Sequence, residues 1–273
     1  MAGWLIASAC VLSLVAASVS GAALRIIEGR AAYPGEFPYV VQLEYHIAIK
    51  KKNHTIMEVM PSCTGAALKP TWTLTAGHCV MKNSSKEKTP MIRYGFPIGV
   101  ASINDSLSNV YGFKKFTNDR NMHIFDDIGL VFSEPIVITK YAKLSAVDFT
   151  TLYGHEVTLV GFGYMLEKSN KPTKMKSVYD LKQPLQVWDG AMLRSCKSEY
   201  YPSICVVPKC GDWKGLFFGD SGGPVLHPSG IIGVNSRIDF GAVFYRTGRQ
   251  KLSFLNLSIK LYFAGKKLNK KMN

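Results

Sequence analysis

The 273 residues carry 33 Lys and Arg against 19 Asp and Glu, a net charge of +14, with 47% hydrophobic and 19% charged residues. That balance excludes a disordered chain and leaves room for one large domain or two small ones around a real core. Six cysteines are too few to staple a fold of this length, and none has paired CxxC spacing, so a core-driven fold assisted by disulfides is left.

The chain opens with an apolar run, Trp4 to Val15, uncharged until Arg25 and followed by the small residues Ala16 to Ala23. The run is far shorter than the ~20 residues a membrane-spanning helix needs, so it reads as a secretory signal peptide over 1–23. A secreted chain lives in an oxidising compartment, and removal of Cys10 with the signal leaves five cysteines, one of them unpaired or bonded to another chain. Beyond it, Tyr39, Val41, Leu43, Tyr45, Ile47 and Ile49 alternate with other residues, the two-residue period of a strand with one buried face. Trp72, Leu74 and Ala76 alternate with threonines, and Val157, Leu159 and Gly161 repeat the pattern. Ser133-Glu134-Pro135 breaks a strand, which puts a boundary between there and Val157. Helical periodicity is confined to the C-terminal segment, so the chain is expected to be all-β with a helix at its end.

Three short segments carry chemistry: Thr75-Ala76-Gly77-His78-Cys79, Asp127-Ile128-Gly129-Leu130, and Gly219-Asp220-Ser221-Gly222-Gly223-Pro224. A neutral hydroxyl is a weak nucleophile. It needs an imidazole to take its proton and a carboxylate to fix that imidazole's tautomer, and these segments supply one of each. Glycines around Ser221 permit a tight turn that points adjacent N–H groups at one spot, where the Gly219 and Ser221 N–H groups could bind an oxyanion.

These motifs, in the order His, Asp, Ser, resemble those of the chymotrypsin-like (trypsin-like) family of secreted serine proteases. The serine motif matches in all six places, and the histidine motif departs by Gly77 for alanine. The resemblance covers residues 26 to about 245. It implies two six-stranded antiparallel β-barrels with the active site between them and a C-terminal helix: a first barrel over about 26–140, a second over about 141–245, and a helix with a basic tail over about 246–273. It implies a serine endopeptidase with His78 as general base, Asp127 orienting it and Ser221 as nucleophile. Arg25 before Ile26 resembles the family's activation junction, with 24–25 as a very short propeptide. Cleavage there would free the Ile26 amine to pair with Asp220 and order the oxyanion hole. Cys63–Cys79 is the family bridge that ties the histidine loop to the first barrel. Cys196 is paired with Cys205 on the likeness of Ile204-Cys205-Val206 to a family strand, although loop length favours Cys210. Two other family bridges are missing: Val157 and His227 stand where one would be, and Phe217 replaces a cysteine beside the pocket.

The same alignment implies a specificity pocket formed by Gly215, Phe218, Ser236, Ile238 and Ala242. Gly215 stands where trypsin-like members carry an aspartate, so the pocket is expected to be uncharged and narrowed by Ile238 and Ala242, suited to aliphatic residues. Arg237 replaces a tryptophan that supports the substrate backbone. A protease-like binding or regulatory protein with little catalysis is therefore the alternative reading.

No carboxylate or cysteine pattern suits a metal, and no metal or other cofactor is expected; His46, His54, His123, His155 and His227 read as plain surface or core groups. Asn53, Asn83 and Asn104 head glycosylation sequons in polar stretches, and a further sequon begins at Asn256. The expected partners of this monomer are protein or peptide substrates, an activating protease, protein inhibitors and, given the charge, an anionic polysaccharide. Nucleic acid is not expected, because no stacking aromatics line a basic face.

Overall fold

The computed structural model describes residues 26, 29–52, 54–80, 88–95, 106–115, 127–163, 165–167, 176–178, 184–196, 204–210 and 214–236. The expectations placed on the signal peptide, Arg25, Asn53, Asn83, Asn104, His123, Arg237, Ile238, Ala242, Asn256 and the C-terminal helix lie outside these residues.

After a short β1 (Arg30–Ala31), the strands β2 (Val40–Lys51), β3 (His54–Lys69), β4 (Trp72–Ala76), β5 (Lys88–Tyr94), β6 (Ser106–Lys115) and β7 (Ile128–Ser133) close into an antiparallel barrel in the order β2-β3-β4-β7-β6-β5. Closure removes the sheet edges and lets alternate side chains fill the interior. Val41 and Leu43 on β2, Leu74 and Ala76 on β4, Ile92 on β5 and Leu130 on β7 share this core.

The even positions of β2 depart from the one-face expectation, since Val40, Gln42 and Glu44 are buried as well. Val40 packs against Val160, Phe162 and Val187 of the second sheet. Glu44 takes the Arg93 guanidinium of β5 through Nε at 2.9 Å and Nη2 at 2.7 Å, with both side chains fully buried. His46 adds a contact from Nε2 to Glu44 at 2.6 Å. A buried charge persists only when paired and hydrogen-bonded in this manner.

The remaining strands are β8 (Glu156–Gly161), β9 (Met165–Glu167), β10 (Lys176–Val178), β11 (Gln186–Ser195), β12 (Ile204–Val207), β13 (Pro224–His227) and β14 (Gly230–Val234). They form a six-stranded sheet in the order β1-β11-β8-β13-β14, with β12 also paired to β11, and a separate β9–β10 pair. Among the described residues this sheet is not closed into a second barrel. Ile26 and β1 belong to it rather than to the first barrel: Arg30 pairs with Val187, and Ile26 is fully buried with Leu159, Trp188 and Val225. No helix of the described residues is long and apolar enough to cross a membrane.

Candidate active site

His78 sits in a single 3-10 turn, Gly77–Val80, that follows β4 directly. Asp127 immediately precedes β7, and the pairing of Ala76 with Ile128 carries the two ends side by side. The turn is fixed from behind by a disulfide from Cys79 to Cys63 on β3, a crosslink of a kind that stabilises by about 2–4 kcal/mol. The two sulfurs lie close to the His78 ring, but their bond to each other removes both as metal ligands.

Asp127 grips the histidine twice. Its Oδ1 accepts the His78 backbone N–H at 2.7 Å, and its Oδ2 lies 2.8 Å from Nδ1. Burial opposes the ionised form of Asp127, but hydrogen bonds from the His78 ring, the Ser236 hydroxyl and the His78 backbone outweigh it and hold the carboxyl below its ordinary value. An ionised carboxylate only accepts, so Nδ1 carries a proton, and whenever the ring is neutral Nε2 is the nitrogen with the lone pair. Gly77 gives the carboxylate room, since a Cβ there would stand 3.0 Å from Oδ1.

Ser236, read from the sequence as a pocket residue, donates its hydroxyl to Asp127 Oδ2 at 2.5 Å. No local signal marks that role, because the two residues are separated by 109 positions.

Ser221 lies in a turn that hydrogen bonds from both sheets hold in place. Its carbonyl accepts the Thr64 N–H at 2.8 Å, while the Thr64 hydroxyl donates to the Gly219 carbonyl at 2.9 Å and accepts the Phe162 N–H at 2.9 Å. Thr64, on β3 beside Cys63, thus ties the serine turn to the barrel that carries His78, a role sequence reasoning missed. Gly222 donates to the Asn235 carbonyl at 2.7 Å and has φ 79°, and Gly219 has φ 93°. These positive angles and close contacts explain the glycines of the motif.

Asp220 is buried, and its side chain occupies space left by two further glycines. A Cβ at Gly161 or Gly163 would run into its carboxylate. Its Oδ1 accepts the Gly163 N–H and its Oδ2 the Phe217 N–H, each at 2.8 Å.

The expected pocket is only partly described. Gly215 is buried, whereas Phe218 is 60% exposed with its ring edge-on to Phe217. Cys196 is bonded to Cys205 across the β11–β12 hairpin, and Cys210 is a free, exposed thiol.

The trypsin family model matches residues 26–246, the stretch that contains every element described above. Among solved structures the chain is similar to HL collagenase, with 19% identity and a TM-score of 0.61 over 90% of this chain and 98% of that one. At that identity the likeness shows the fold. With the family match spanning most of its length, the chain belongs to the trypsin family of serine proteases.

Proposed function

We propose that the protein is a secreted serine endopeptidase, made as a zymogen and activated by cleavage after Arg25. The observation that carries this reading is the double hydrogen bond from Asp127 to His78, which keeps the imidazole in the tautomer a general base requires. His78 Nε2 takes the proton of Ser221 Oγ as that oxygen attacks the peptide carbonyl. The imidazolium returns the proton to the leaving amine, and water then releases the acyl group by the same steps in reverse. The Gly219 and Ser221 N–H groups, which find no acceptor among the described residues, bind the developing oxyanion, where one such donor contributes about 10²–10³ in rate.

Activation rests on Asp220. Its buried carboxylate, seated over Gly161 and Gly163, receives the Ile26 amine once the chain is cut, and the fully buried Ile26 side chain supports docking of that terminus. Gly215, without charge, disfavours basic side chains, and the pocket takes small or medium aliphatic residues.

Digestion of a peptide library by the chain cleaved after Arg25 tests this function. Cuts following aliphatic residues, absent with Ser221→Ala, are expected. A folded, cleaved protein that cuts nothing would refute it.

A further inference from the structure

Two imidazoles meet outside the catalytic constellation. His155 stands just before β8 and His227 ends β13. These strands pair Leu159 with Val225 and Thr158 with Leu226, so the ladder carries His227 toward the start of β8. There His155 Nδ1 lies 3.3 Å from His227 Nε2. That separation is just beyond the ~2.7–3.2 Å usual when an N–H meets an oxygen. It matches the ~3.3 Å between two imidazole nitrogens that each sit ~2.0–2.1 Å from a tetrahedral ion.

Both ligand arms are held in place. The His155 backbone N–H donates to the Leu152 carbonyl at 3.0 Å and its backbone carbonyl accepts the Leu193 N–H at 2.9 Å, while His227 pairs with Gly230 in the β13–β14 hairpin. Behind the His227 ring, Nδ1 is 2.8 Å from Ser229 Oγ, which is 2.7 Å from Ser145 Oγ. Ser145 Oγ accepts the Val147 N–H at 3.2 Å. Two sets of directions satisfy these contacts: Ser145 donates to Ser229 while Nδ1 accepts from the Ser229 hydroxyl and from the Ser229 N–H at 3.3 Å, or Ser229 donates to Ser145 and accepts from His227 Nδ1–H, which turns the Nε2 lone pair toward His155. An ion held at Nε2 selects the second. A metal-bound histidine characteristically donates its other ring N–H to such an acceptor. His155 is exposed and His227 half-buried, so an ion could reach them and keep water at its remaining positions.

We propose that His155 Nδ1 and His227 Nε2 bind a divalent transition-metal ion of the class that suits imidazole, Zn²⁺ or Cu²⁺, and that the ion clips β8 to β13. The sequence offered no sign of it because the two residues are 72 positions apart. The clip falls at position 227, where the family resemblance implies a disulfide that this chain lacks. It would brace the strand leading to Gly161 and the strand that follows the Ser221 turn.

The test titrates the full chain, carrying Cys210→Ser to remove the exposed thiol, with Zn²⁺ by calorimetry and with Cu²⁺ by electron paramagnetic resonance. Expected are one saturable equivalent, a two-nitrogen Cu²⁺ signature and an unfolding temperature raised by Zn²⁺. Ser229→Ala should weaken binding by about tenfold, and His155→Gln or His227→Gln by more. His155 is exposed, so its variant keeps the test open should His227→Gln fail to fold. No saturable equivalent in the parent, or an equivalent bound with unchanged affinity by the folded histidine variants, would overturn the proposal.

Discussion

Replacing Asp127 by asparagine exchanges one oxygen for an NH₂ in a site whose donors and acceptors are already matched. The His78 backbone N–H, 2.7 Å from Oδ1, cannot become an acceptor, so the amide oxygen must take that place. The NH₂ then occupies the position of Oδ2, 2.8 Å from His78 Nδ1 and 2.5 Å from Ser236 Oγ. From there it donates to Nδ1, which gives up its proton. The imidazole becomes protonated at Nε2 and has no lone pair left for the Ser221 hydroxyl. A wrong tautomer in this type of triad costs about 10⁴ in kcat, or roughly 5–6 kcal/mol in barrier. The assay is the steady-state cleavage of a peptide ester by the chain cut after Arg25, with circular dichroism to establish that the variant folds. A folded Asp127→Asn protein that keeps kcat within about tenfold of the parent would refute the tautomer argument.

Gly222→Ala should abolish activity and lower the unfolding temperature. A left-handed φ of 79° costs an L-residue about 1–2 kcal/mol, and the new Cβ would also run into Thr75 Oγ1 and the Thr64 carbonyl. Arg93→Met should cost about 3–5 kcal/mol in urea unfolding by leaving Glu44 buried without its guanidinium, whereas Glu44→Leu with Arg93→Met should lie much closer to the parent. Equal losses in the single and double variants would contradict that account. The depressed carboxyl of Asp127 contributes stability that is fully present above its unfolded value of about 3.9 and is lost as pH falls through the lower folded value. Asp127→Asn should therefore flatten the acid limb of the urea midpoint plotted against pH, and an unchanged limb would show that the carboxylate is not stabilised in the fold.

The chemistry-bearing parts were legible because each is a local pattern with a local cause. Glycines around Ser221 are needed for positive φ and close approach, and the Gly77-His78-Cys79 turn follows at once from the end of β4. The two disulfides were also readable, and the hairpin geometry favours Cys205 over Cys210 as the partner of Cys196. What escaped the sequence is long-range. Ser236 reads as a pocket residue, and nothing local shows that its hydroxyl also lies on Asp127, a contact created only when β14 delivers it beside the start of β7. Thr64 reads as one of many strand threonines, while its backbone and hydroxyl bridge the barrel to the serine turn. The alternation along β2 predicts a single buried face, but Val40 packs against the second sheet and Glu44 is buried in its pair with Arg93, so the other face is covered as well. Ile26 lies in the second sheet's core and β1 pairs with β11, a meeting of distant segments that no periodicity encodes.

The account stands on one reactive hydroxyl. Treatment of the chain cleaved after Arg25 with a fluorophosphonate, followed by mass mapping of the adduct, addresses it directly. A single adduct on Ser221, lost in Ser221→Ala and strongly slowed in Asp127→Asn, is the predicted result. A folded, cleaved protein that takes up no reagent at Ser221 would contradict it.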